Sequence, residues 1–156
     1  MAAWSDTAEN KLIDWFFRGQ ALGLTGASAG AGSGPTTLYI GLLTAAPTDS
    51  TAGTEVSGGS YARVAVTSSL ANWAGTQAAG STSASTGTSG TTSNNNTITY
   101  SPSPTVSWGT VTAVGIYDSA SGGSLLVYSA LSLAKVINIG DLVTFPAGAL
   151  TFQIDN

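Results

Sequence analysis

The chain contains no histidine and no cysteine, and only 4 Lys/Arg and 8 Asp/Glu among 156 residues. Without histidine it cannot assemble a Ser-His-Asp triad from its own side chains. Without cysteine it has no disulfide framework and no thiolate metal site. Charged residues make up 8% of the sequence, against about 25% in typical domains. No basic run is present, so phosphate neutralisation is missing and no nucleic-acid partner is expected. Long apolar runs are also missing: no stretch reaches the roughly 18 residues that a membrane-spanning helix needs. The start, Met1-Ala2-Ala3-Trp4-Ser5-Asp6, shows neither a basic segment nor an apolar one, so no signal peptide and no membrane insertion are expected.

What is present is a hydrophobic fraction of 42% together with abundant Ser, Thr, Gly, Ala and Asn. The length suits one domain with a real core. Its surface is polar yet nearly uncharged. Surfaces of that kind are often covered by neighbours, because a free monomer leans on charge for solubility.

Residues 6–18 read as the one helix. Asp6 is placed to cap it with Glu9 three residues on, a capping-box spacing. Ala8, Leu12, Trp15 and Phe16 form a helical stripe, Ile13 and Phe17 flank it, and Gly19 suits the turn that ends it. Trp15 and Phe16 would pack on the chain's own sheet or on another subunit. Residues 24–36 lack periodicity and read as a flexible loop.

Short β-rich runs follow at 37–43, 61–67, 97–100, 105–108, 111–117, 125–128, 135–139, 142–145 and 150–154. Gly115 inside one of them signals a bulge or a close backbone approach. This pattern predicts a mainly β fold, a β-sandwich or jelly-roll-like barrel with one N-terminal helix and a long Ser/Thr/Gly-rich loop. Residues 37–73 and 97–156 would form the β domain. Residues 74–96 form a low-complexity arm, read as a mobile excursion or a segment ordered by a neighbour. On that reading the fold should survive deletion of residues 76–95.

Reactive chemistry is sparse. Gly26-Ala27-Ser28-Ala29-Gly30 matches a nucleophile-elbow pattern, but a strand rather than a helix follows and no base is available. Gly30, Gly32 and Gly34 do not give a nucleotide-loop spacing, since residue 35 is Pro. Asp14, Asp49, Glu55, Asp118 and Asp141 are the candidate carboxylates for glycoside hydrolysis. Asp118 and Asp141 fall at turns, and Asp49 and Glu55 flank a loop without a dense calcium-loop pattern. No catalytic, metal or cofactor site is assigned, and a non-enzymatic role is expected.

Thr54-Glu55-Val56-Ser57-Gly58-Gly59-Ser60-Tyr61-Ala62-Arg63 is the most distinctive segment. Strand alternation over 61–67 puts Tyr61 and Arg63 on one face, opposite Ala62, Val64 and Val66, which are wholly apolar and expected to face the core. The guanidinium fork suits a carboxylate: Glu55, Asp118 or a group on a neighbouring chain. Trp73 and Trp108 lie near the ends of the arm, as core residues or as contacts for a sugar or a partner. Trp15, Phe16, Tyr61, Arg63, Trp73 and Trp108 are thus the candidate interaction residues.

Together, Ala8-Glu9-Asn10-Lys11-Leu12-Ile13-Asp14, the run from Thr37-Leu38-Tyr39-Ile40-Gly41 to Tyr61-Ala62-Arg63, and Trp108-Gly109-Thr110-Val111 to Tyr117-Asp118 with Gly122-Gly123, Gly140-Asp141 and Pro146-Ala147-Gly148 carry a family resemblance. The sequence resembles tailed-bacteriophage virion proteins often labelled tail-fibre-like. The resemblance implies a non-enzymatic virion component assembled in the host cytoplasm. No heptad or fixed-period shaft is visible. That favours a capsid decoration or cement protein on the head surface, a homo-oligomer (a trimer) bound to the major capsid protein. The alternative is a tail or tail-fibre component, an adaptor or host-surface contact bound to a tail protein. A host-wall glycosidase is the third class.

Overall fold

The computed structural model describes residues 4–24 and 34–154. The Gly26–Gly30 pattern, Gly30, Gly32 and most of the 24–36 loop lie outside the described residues. The protein is mainly β, with one helix among the described residues, α1 (Asp6–Phe16). Nine strands follow: β1 (Thr37–Ala45), β2 (Thr54–Glu55), β3 (Val64–Thr67), β4 (Thr91–Ser93), β5 (Ile98–Tyr100), β6 (Gly109–Tyr117), β7 (Leu125–Ile137), β8 (Val143–Phe145) and β9 (Thr151–Gln153). The main sheet runs β2-β1-β6-β7 with β3 also on β1, and β4-β9 and β5-β8 form two further ladders. The main sheet leaves β7 at an open edge, so no barrel closes among the described residues.

The chain divides into two compact units. The first comprises Met1–Thr37, Thr67–Ile98 and Phe145–Asn156. Its helix begins one residue earlier in function than the sequence suggests. Ser5, not Asp6, is the N-cap, and its hydroxyl accepts from the Ala8 amide. Ser5 has extended backbone angles, which the cap geometry requires, while Asp6 is already helical. The buried face is also rotated from the expected stripe. Glu9, Ile13 and Asp14 are buried, followed by Phe17 and Arg18, while Leu12, Trp15 and Phe16 are only half-buried. The cause is polar burial, which a hydrophobic stripe cannot display. Phe17 packs on Trp73 at 5.1 Å and on Phe152 at 5.5 Å, making the aromatic core of this unit.

The second unit comprises Leu38–Val66 and Thr99–Thr144. β1 and β6 are its central strands, paired antiparallel with Gly41 opposite Gly115. Leu38, Ile40, Leu42 and Leu43 face Val114, Ile116 and Ala113 in a fully buried interior. Both central strands are apolar on each face, as strands covered on both sides must be. The runs at 125–128 and 135–139 merge into the single long strand β7. The run at 105–108 is not a strand: the Thr105 amide donates to the Gly59 carbonyl instead. Pro102 and Pro104 withhold two amide donors there.

Candidate functional site

The distinctive segment builds a charged node in the second unit. Gly58, Gly59 and Ser60 have φ of 75°, 56° and 69°, three successive left-handed residues. Glycine reaches that region without a steric penalty, and a side chain on Gly59 would overlap Val106. The coil leaves the Gly59 carbonyl to accept from the Thr105 amide and from the Trp108 indole at 3.2 Å. The next residue, Tyr61, is thereby turned inward.

Tyr61 donates to Glu55 Oε1 at 2.9 Å and accepts from the Leu42 amide at 2.8 Å. Arg63 grips the same carboxylate with both prongs, Nε to Oε1 at 2.8 Å and a terminal nitrogen to Oε2 at 2.7 Å. Its other terminal nitrogen donates to the Ser119 and Gly122 carbonyls, both at 2.7 Å. The guanidinium lies 3.4 Å from the centre of the Tyr117 ring, a cation–π contact. Gly41 makes room for all this: a Cβ there would meet the Tyr117 ring, Glu55 and the Tyr61 hydroxyl. Glu55, Tyr61 and Arg63 therefore pin the β6–β7 hairpin tip to the coil after β2.

Burial pushes the Tyr61 hydroxyl well above the ordinary tyrosine range, and the Glu55 carboxylate adds to the shift. Full burial does the same to Tyr100, whose hydroxyl donates to the Ile40 carbonyl at 3.0 Å. The hydrogen bond with Glu55 holds the Arg63 guanidinium still more firmly in its charged form. The node is thus a neutralised brace. Every nitrogen of the Arg63 guanidinium is engaged within the second unit.

A second brace stands in the first unit and was not singled out from the sequence. Arg18 is fully buried and uses all five of its N–H donors. They reach the Trp73 carbonyl (2.9 Å), Asp14 Oδ1 (2.6 Å), the Ser85 hydroxyl (3.1 Å) and the Ser81 and Ser83 carbonyls (3.3 and 2.6 Å). The other Asp14 oxygen accepts from the Ser85 amide at 2.9 Å. Asn94, also buried, bonds Asn96, Pro146 and Leu150 through its side chain. The arm at 74–96 is consequently fastened to its own unit by these hydrogen bonds. A single buried guanidinium supplies the organisation that apolar residues would otherwise provide. The i, i+4 spacing of Asp14 and Arg18 was the available signal.

The remaining candidates separate cleanly. Trp73 is completely buried and Trp108 nearly so, the latter 5.3 Å from Tyr61 and 6.0 Å from Tyr100. Neither indole is offered to a sugar or a partner. Trp15 and Phe16 are partly accessible on α1. Asp118 and Asp141 accept from the Ser124 and Asn138 amides within their turns, as expected of turn aspartates. Asp49 accepts from the Tyr128 hydroxyl at 2.9 Å. Among the described residues no three acidic side chains gather as a metal site, and no helix is long and apolar enough to cross a membrane.

One family model, described as podophage GP4 fiber I protein gp80, matches residues 3–153. No curated protein matches the chain.

Proposed function

The chain belongs to the podophage GP4 fiber I protein gp80 family, and from that premise we propose that it is a non-enzymatic tail-fibre component of a phage virion. That the protein is a phage structural protein follows from the family. Its position on the tail is the reading that the family description favours over the head-decoration role expected from the sequence. The single observation that carries it is a match spanning residues 3–153.

The structure supports a scaffold rather than a catalyst. Asp14, Glu55, Asp118 and Asp141 each hold a loop or turn in place. The rigid braces around Arg18 and Arg63 fix polar loops without disulfides, which suits a protein assembled in a reducing cytoplasm. Copies of itself and a tail protein are its partners. Host contact falls to the polar loop tips around Thr48, Ser50, Ser121 and Gly122, because the core tryptophans are covered.

Gold-labelled antibody against the chain, viewed on intact virions by electron microscopy, tests the reading. Label at the tail is expected. Label over the head would refute it and restore the decoration role.

A further inference from the structure

β7 is the open edge of the main sheet, and its outer surface is unusually apolar. Its ladder to β6 breaks in the middle. Val111 faces Lys135 and Ala113 faces Ala130, so Thr112 alone stands against residues 131–134. This wide bulge pushes Leu133 outward to 80% exposure. Val136 beside it is also exposed. A leucine so exposed at a sheet edge, in a chain with so little charge to keep edges apart, marks a contact surface.

Charge at the two ends of β7 says what covers it. Two ion pairs form among the described residues, Arg18–Asp14 and Arg63–Glu55. Lys135, just past the bulge, belongs to neither. On the other side of the bulge, Tyr128 bonds Asp49 through one carboxylate oxygen. Asp49 and Tyr128 line an open cleft of about 530 Å³ with Thr48, Ser50, Thr51 and Leu126. The bulge thus lies between an unpaired cation and a hydroxyl-rich cleft that holds one carboxylate, Asp49. A second copy laid antiparallel across a twofold axis beside the bulge, near Ala130, satisfies both ends at once, because Lys135 and Tyr128 stand opposite Val111 and Gly115, two ladder steps either side of Ala113. Lys135 of each copy then meets the Asp49 cleft of the other, and the two Leu133 side chains pack on either side of the axis. The result has an apolar centre and a polar rim, the anatomy of a specific interface, and it is self-complementary as a twofold contact must be.

We propose that residues 131–134 of β7, with Lys135 and Asp49 on either side, form a twofold interface between two copies of this chain. The proposal rests on the self-association in the preceding reading and is independent of where the protein sits on the particle.

Sedimentation of the full chain over a range of concentrations tests it. A concentration-dependent dimer is expected. Leu133→Asp should weaken it at least ~100-fold, because the lost burial counts twice across the axis. The side chain is exposed, so the variant keeps its fold, and circular dichroism verifies that. Lys135→Asp and Asp49→Lys should each weaken the dimer roughly 10-fold, and the double exchange should restore most of it. Asp141 shares a different cleft with Lys135, and Asp141→Asn should leave the dimer unchanged.

A monomer at all concentrations overturns the proposal, as does a trimer insensitive to Leu133→Asp. Failure of the double exchange to restore the dimer overturns the Lys135–Asp49 pairing, and so does an Asp141→Asn effect equal to that at Asp49. Antibody label over the head would sink the fibre reading and leave this interface standing. A monomer would sink the interface and leave the fibre reading.

Discussion

Removing the Arg63 side chain discriminates an internal brace from a contact with another subunit. Arg63→Ala deletes four hydrogen bonds, two to Glu55 and two to the Ser119 and Gly122 carbonyls. It also leaves the Glu55 carboxylate, one quarter exposed, with the Tyr61 hydroxyl as its remaining side-chain partner. Stranding one member of a fully buried pair costs about 3–5 kcal/mol. Partial exposure of Glu55 lets water recover some of that, and the two carbonyls at the hairpin tip can also be hydrated. The expected loss is about 2–3 kcal/mol. At about 2–4 °C per kcal/mol for a chain of this size, Tm should fall by about 5–10 °C. Urea unfolding followed by tryptophan fluorescence reads it, since Trp108 lies against Tyr61. Arg63→Lys keeps the charge but cannot fork or stack, and should recover less than half. Replacing both partners by apolar residues, Arg63→Met with Glu55→Leu, should be milder than Arg63→Ala alone, because no charge is left stranded. The reasoning fails if Arg63→Ala stays within about 0.5 kcal/mol of the wild type, or if its loss is confined to self-association.

Two further predictions address stability. Tyr61 and Tyr100 both have hydroxyls pushed above their ordinary range, so the unfolded chain releases these protons first. Their stability contribution is intact below about pH 10 and is lost as pH rises beyond it, by about 1.4 kcal/mol per pH unit for each. Urea unfolding between about pH 9 and about pH 11 should show that slope, shallower in Tyr100→Phe; a flat profile would refute it. Deleting residues 76–95 removes β4, Asn94 and the serine partners of Arg18, leaving a buried guanidinium unsatisfied. The product should be insoluble or molten by near-ultraviolet circular dichroism, contrary to the tolerance expected from sequence. A soluble, cooperatively unfolding deletion variant would show that the arm is dispensable.

The distinctive segment was legible because its logic is local. Glycines at 58 and 59 announce a left-handed coil, and Tyr61 and Arg63 do meet at Glu55. The coil and not strand alternation brings them there: β3 begins only at Val64, and Ala62, expected on the core face, is exposed while Tyr61 turns inward. Gly115 announced a close approach, and it faces Gly41 across the ladder. The arm was not legible, because its order comes from pairs far apart in sequence. Ser83 and Ser85 lie 65 and 67 residues from the arginine that fixes them. Their composition alone matches that of a disordered tract, since hydroxyls and amides carry no periodicity that reveals burial. The rotated face of α1 has the same origin. Asp14 and Arg18 count as polar in any hydrophobic stripe, yet their mutual neutralisation buries them.

The scarcity of charge takes on a different meaning once the cations are followed to their places. Four Lys/Arg are available, and the two arginines are spent inside, each fastening polar loops within its own unit. Only Lys11 and Lys135 remain for the surface. A chain so depleted cannot choose partners by broad electrostatic steering, which needs many like charges on one face. It must rely on shape, hydroxyl and amide contacts, and apolar projections such as Leu133. The one lysine beside that projection therefore carries more discriminating weight than a lysine on an ordinary charged surface. An isolated cation at a sheet edge favours an acid-lined partner surface and opposes every register that leaves it facing another Lys135. Low charge and a bulged apolar edge are two sides of one property: the fold consumes both arginines internally and leaves Leu133 and Lys135 at the surface, where the proposed interface would form.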